Sequence, residues 1–128
     1  QSGTSDSAKR AVDSGGPGIR VSNHGGRQLD GSRSPFDQLA EIVDAVGDKL
    51  DVICEGGIHR GTHMLKALSL GAKACSGGRL YLYALAAAGQ AGVERALGQY
   101  KAELERDMKL MGCTKISELS RKNLRFRK

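Results

Sequence analysis

The stretch GIRVSNHGGRQLDG, Gly18–Gly31, decides the fold. Its first five residues, GIRVS (18–22), are a strand candidate through β-branched Ile19 and Val21. The strand runs into the pair Gly25-Gly26 and then Arg27. That order recurs twice. LDVICEGG (50–57) is a strand closed by Gly56-Gly57 and followed by the basic loop IHRG, and AKACSGGR (72–79) is a third, closed by Gly77-Gly78 and Arg79. Helical spacing fills the gaps. Ser34 as N-cap and Pro35 at the first position open a helix carrying Phe36, Leu39, Ala40, Val43 and Val46, which Gly47 stops. Another starts at about Thr62, carries Met64, Leu65 and Leu68, and ends before Gly71. Strands alternating with helices through short connections predict an α/β fold of parallel strands joined by right-handed crossovers.

Working outward, residues 1–7 are polar and lead into a short helix with Ala8, Ala11 and Val12 on one face, ended by Gly15. After the third strand, LYLYALAAA reads as a short helix. A longer one follows over about 91–111, with Val93, Leu97, Tyr100, Leu104, Met108 and Met111 along one stripe. Thr114 opens a last short helix.

The 128 residues fill one ordinary domain. Eighteen glycines against five Phe and Tyr and no Trp predict tight turns around an aliphatic core. No run approaches a membrane span and the front lacks the apolar segment of a signal peptide, so the sequence reads as cytoplasmic. Gln1 is not an initiator Met, so a chain cut or incomplete at its front is expected. Cys54, Cys75 and Cys113 are odd in number and lie in or beside apolar stretches, as buried thiols do in a reducing compartment. They lack the close spacing of a zinc site, and no metal is expected. The net charge of +6 raises nucleic acid as a partner, but Arg121, Lys122, Arg125, Arg127 and Lys128 crowd the last eight residues. A solvated basic tail over 121–128 accounts for them, and specific nucleic-acid recognition has no support.

In parallel α/β folds, ligands bind at the carboxyl ends of the strands. Glycines there expose backbone N–H groups, and helix N-termini favour anions. Three glycine corners with basic followers side by side therefore predict a phosphate cradle. Ser22 and His24, two residues apart, are expected on the same side of the strand end, with Arg27 folding back over the opening. A guanidinium grips a carboxylate in bidentate fashion while an imidazole takes a proton beside it, the pair that proton abstraction from a 2-hydroxy acid requires. The bland alternative is a polar surface loop.

SNHGGRQLDG closely resembles the signature of the FMN-dependent L-2-hydroxy-acid dehydrogenases and oxidases, a family that includes glycolate oxidase, cytochrome-linked L-lactate dehydrogenase and mandelate dehydrogenase. The resemblance runs on through EGGIHRGTHMLKALSLGAKA, GGRLYLYALAAAGQAGVERAL and ELERDMKLMGC, over about residues 8–124. It implies a (β/α)8 barrel, of which this chain is the C-terminal portion: the last three βα units and closing helices. It implies FMN as cofactor, a small L-2-hydroxy acid of lactate or glycolate type as substrate, and oxygen, a quinone or a cytochrome as electron acceptor. His24 then falls on the catalytic base, Arg27 on the residue that binds the substrate carboxylate, and Ser22 on a flavin contact. Glu55, Gly56, Gly57, Ile58 and His59 fall on the loop that holds the flavin phosphate, and Gly78 and Arg79 on its second half.

Departures accompany the match. The family has Asp where this chain has Glu55, Arg where it has His59, and Asp where it has His63 and Pro17. Arg20 shares the parity of Ser22 and His24, so in a barrel it is expected to point into the packed interior, where a charge is costly unless paired. The third strand, with Cys75, Ser76 and Gly77, is poor in β-branched residues. A complete barrel needs about 250 residues, so this chain is expected to pair with itself, as a homo-oligomer, or with the remainder of the barrel. A second reading keeps the anion cradle without catalysis: a phosphate-binding half-barrel that serves as an assembly module.

Overall fold

A computed structural model describes residues 4–126. Strands β1 (Gly18–Val21), β2 (Asp51–Glu55) and β3 (Ala74–Ser76) form one parallel sheet in sequence order. Helix α1 (Ser5–Asp13) precedes β1, α2 (Pro35–Val46) joins β1 to β2, α3 (Gly61–Ser69) joins β2 to β3, and α4 (Arg79–Leu110) follows β3. The sequence of elements is the one the glycine-punctuated pattern predicts.

Strand parity sorts the sheet into two unlike faces. Ile19 stands opposite Val52, and Val21 opposite Cys54. All four are buried, against Leu39, Ile42 and Val46 of α2 and Ala67 and Leu70 around the end of α3. Fully burying one such aliphatic side chain contributes about 2 kcal/mol, so this face anchors the unit. Among the described residues the opposite face has no helix: Gly18, Arg20 and Ala74 are exposed, and Ile53 and Glu55 are half-buried. Helices on one side of a parallel sheet, with the other side bare, is the layering of a barrel wall. A second, smaller core joins Leu65, Met108, Cys113 and Leu119, where the end of α4 crosses α3.

Arg20 has the parity expected of it: it lies on the bare face, about half exposed, and it is paired, its Nη1 standing 3.0 Å from Glu55 Oε2. Several local expectations need correction. Ser34 occupies the N-cap position of α2, but its side chain makes no capping hydrogen bond. The third strand shortens to Ala74–Ser76 because Ala72 N–H closes the end of α3 on Ala67 O at 3.1 Å. The two helices expected after it form one run broken at Ala88 and Gly89, whose φ and ψ of 55° and −140° leave helical space. On the expected stripe Leu97 is 53 % exposed, while Glu103 is buried.

The last helix resolves into two single 3-10 turns, Ile116–Glu118 and Arg121–Asn123. Side chains take the N–H groups a longer helix would use: Glu118 accepts from Thr114 N at 2.6 Å, and Asn123 from Ser120 N at 2.8 Å. Of the basic tail, Arg121 is tied to α2, 2.6 Å from Asp44 Oδ1, and Leu124 packs on the main core. Arg127 and Lys128 of that tail, with residues 1–3 of the polar front, lie outside the described residues. No helix among the described residues is long and apolar enough to cross a membrane.

Candidate functional site

Parallel strands in register bring their carboxyl ends together, so the three glycine corners meet on one rim. At the first corner β1 ends at Val21, and a 3-10 turn spans His24–Gly26. Strand alternation therefore does not set Ser22 and His24 on one side, as the spacing predicts. Ser22 Oγ instead accepts the His24 N–H at 3.0 Å, and Asn23 Oδ1 accepts the Gly25 N–H at 3.1 Å. His24 has φ 58°, the one positive value outside glycine among the described residues. Such a backbone costs about 1–3 kcal/mol and persists only where surroundings hold it, commonly at functional sites. Here the Ser22 and Asn23 side chains do the holding, and the His24 residue stays exposed at the rim.

The second corner turns at Gly56, whose φ of 111° excludes ordinary side chains. A Cβ there would also come within 3.0 Å of Pro35 Cγ and 3.2 Å of Asn23 Oδ1, so Gly56 lets the second corner close against the first. Ile58 is 3 % exposed and belongs to the main core, which leaves only its backbone for a ligand. His59 is exposed, and its N–H is donated to His63 Nδ1 at 3.2 Å. Burial lowers the His63 pKa, against the pull of the Gly57 carbonyl, and the nearby Lys66, His59 and Arg60 lower it further. The ring is thereby kept in the neutral form that can accept. Glu55 Oε2 is buried without a hydrogen bond among the described residues, its charge facing Arg20. Arg60 turns the other way, onto Glu103 of α4.

At the third corner Arg79 Nη2 donates to Gly25 O at 2.6 Å, which ties the start of α4 to the first corner. A Cβ on Gly25 would lie 2.5 Å from that nitrogen, so the contact requires glycine.

One cavity of about 140 Å³ results. It is lined by His24, Gly25 and Arg27 from the first corner, Glu55 to His59 from the second, and Gly77, Gly78, Arg79 and Leu82 from the third. Of the residues the sequence singles out at the corners, Ser22 and Gly26 are absent from the lining; Ser22 lies behind His24. Gly77 enters with its doublet partner Gly78, and Leu82 joins without having been foreseen. Glu103 lies behind the second corner, lining a separate groove with His59 and Arg60, and sequence reasoning missed it because it falls off the apolar stripe. Larger cavities lie elsewhere. One of about 710 Å³ sits between α3, the end of α4 and the C-terminal segment, walled by Phe36, Leu65, Leu110 and Phe126, and lacks the convergent glycine corners.

The rim suits an anion. A Cβ on Gly57 or Gly78 would meet nothing within 4 Å, so a ligand can approach both backbones, and Arg79 supplies charge. A drug-sized ligand fills roughly 300 Å³ or more, so a cavity of about 140 Å³ has room for a phosphate group but not for a whole flavin. The residues present fit the phosphate end of FMN.

The family model described as FMN-dependent dehydrogenase matches residues 3–126. An L-lactate oxidase of Nostoc sp. is 48% identical over 114 residues, 89% of this chain and 31% of the relative. A pre-mycofactocin synthase of Mycolicibacterium smegmatis is 46% identical over 114 residues, 89% of this chain and 29% of the relative. The crystal structure of a soluble mutant of the membrane-associated (S)-mandelate dehydrogenase of Pseudomonas putida superposes with a TM-score of 0.92 at 40% identity, covering 97% of this chain and 35% of that one. The chain thus spans about a third of the length of the relatives it matches, and its three βα units are part of a (β/α)8 barrel. On the matched length, the identities and the shared fold, the chain belongs to the FMN-dependent dehydrogenase family.

Proposed function

We propose that this chain supplies the base, the carboxylate-binding cation and the phosphate corner of an FMN-dependent enzyme that oxidises a small L-2-hydroxy acid, of lactate or glycolate type, to the 2-oxo acid. The observation that carries the reading is the gathering of three glycine corners, His24, Arg27 and Arg79 around one cavity. FMN, when bound, accepts the two electrons the substrate gives up. His24, fixed at the rim by Ser22 and Asn23, takes the proton from the substrate. Arg27, just past the turn, pairs with the substrate carboxylate through its planar fork of N–H donors and so sets which substrate group faces His24. The Gly56, Gly57 and Gly78 backbones and the Arg79 side chain hold the flavin phosphate, with His59 beside them, and Ser22 makes a flavin contact. Glu55 brings negative charge to the same rim, and Arg20 offsets it. The acceptor that takes the electrons onward is oxygen, a quinone or a cytochrome.

The test is direct. The chain is purified with added FMN and examined for bound yellow flavin that L-lactate or glycolate bleaches. Colourless protein would remove the claim that this chain binds flavin by itself. The bare sheet face favours one other reading, a phosphate-binding assembly module. Bound flavin that no hydroxy acid bleaches, in a chain that associates, would establish that reading instead.

A further inference from the structure

Behind the second corner lies a buried carboxylate with no part in the chemistry above. Glu103 projects from the second segment of α4 and is 8 % exposed. Its Oε2 accepts the Gly61 N–H at 2.8 Å and faces Arg60 Nε at 3.4 Å, while Oε1 stands 3.3 Å from the same nitrogen. The Gly61 N–H, then burial acting in opposition, then Arg60 set its titration, with the net effect of holding the carboxyl below the usual range. A buried carboxylate needs such partners to remain charged.

Gly61 is the first residue of α3, where free N–H groups would otherwise face a ligand anion. Glu103 fills that place. It also draws Arg60 toward α4, into the groove where Arg95 lies, and Arg60 does not line the rim cavity. The loop from Gly56 to Arg60 is thus suspended between β2 and a fixed point on α4. Its Gly57 and His59 backbones can present a constant surface to the cavity only while that far point holds.

We propose that Glu103 is a positioning residue for the phosphate corner, acting through Gly61 and Arg60 to hold the β2–α3 loop in its anion-binding shape. The inference rests on the FMN reading, and its test separates the two. FMN and riboflavin, which lacks the phosphate, are titrated into the chain and into Glu103→Ala and Glu103→Gln, with binding followed by quenching of flavin fluorescence. Glu103→Ala weakens FMN by about tenfold and leaves riboflavin unchanged. Glu103→Gln, whose amide oxygen can still accept the Gly61 N–H, recovers most of the loss. Equal weakening of both flavins would show that Glu103 merely holds two helices together, and tighter FMN binding would show that freed Arg60 outweighs any loop effect; either overturns the proposal. If the parent chain binds no flavin by itself, the claim of autonomous flavin binding fails but this one is still read from amide shifts. Glu103→Ala then moves the Gly57 and His59 signals and not those of β1 and β2, and unmoved loop signals refute it.

Discussion

Replacing Gly61 by alanine tests the join between α3 and α4, because two effects of opposite sign meet there. Alanine in a helix is favoured over glycine by about 1 kcal/mol, and Gly61 is helical, so propensity alone predicts stabilisation. Space predicts the reverse. A Cβ at Gly61 would lie 2.5 Å from Glu103 Cβ, 2.6 Å from Leu104 N and 2.9 Å from Glu103 C. Two of those atoms are backbone and cannot swing aside, so the helices must part. Overpacking of this kind costs about 3 kcal/mol at the upper end of its range, leaving about 2 kcal/mol of net destabilisation. For a domain of this size that is a fall in Tm of roughly 8 °C. Gly98 provides the control: it is also helical, on α4, but a Cβ there would meet nothing within 4 Å. Gly98→Ala should gain about 1 kcal/mol and raise Tm by roughly 4 °C. Thermal unfolding followed by circular dichroism measures both. If Gly61→Ala rises in step with Gly98→Ala, α3 and α4 are not in the close contact described, and Glu103 cannot reach the loop.

In a flavin-loaded enzyme containing this segment, His24→Ala should lower kcat by about 10²–10⁴-fold with flavin still bound. Arg27→Ala should act mainly on KM, and full activity in both variants would refute the roles assigned to them. Burial raises the thiol pKa to about 11 at Cys54 and about 12 at Cys75, so both should resist iodoacetamide at pH 8 in the folded chain and react once it is unfolded. Mass-spectrometric counting of the adducts checks this, and rapid native labelling at either site would contradict it. The carboxyls of Asp44, Glu103 and Glu118 are held low by Arg121, by the Gly61 N–H and by the Thr114 N–H respectively. A depressed carboxylate stabilises the fold above its unfolded pKa, and that contribution is lost as pH falls through the folded value. Tm should therefore drop as pH is lowered from about 4, and a flat profile from pH 5 to 2.5 would count against these bonds.

The alternation of strand and helix was legible because its signals are local: a glycine pair closes each strand, and apolar residues recur at helical spacing in between. The gathering of the glycine corners followed from parallel pairing alone. What escaped depends on partners distant in the chain. Glu103 looks like any solvated charge, since it sits off the apolar stripe of Tyr100, Leu104 and Met108, and only the fold brings Gly61 to it. Arg20 has the parity expected of it, but its partner Glu55 lies on the neighbouring strand and is found only through the strand register. His24 broke the alternation rule because two side-chain hydrogen bonds outweigh strand continuation just past Val21. The last helix failed for a similar reason, with Glu118 and Asn123 capping each turn as it formed. The short third strand matched its poverty in β-branched residues.

The open edges of β1 and β3 carry an arithmetic consequence. Copies of this chain that joined head to tail, β3 of one against β1 of the next, would lengthen the sheet in steps of three strands. No multiple of three is eight, the number at which this kind of wall closes. A ring of copies would have to stop short of that number or overshoot it, changing tilt and diameter and spoiling the meeting of corners across the top. Five further strands, and not copies of these three, complete such a wall, and self-association could hide the edges only by giving up that geometry.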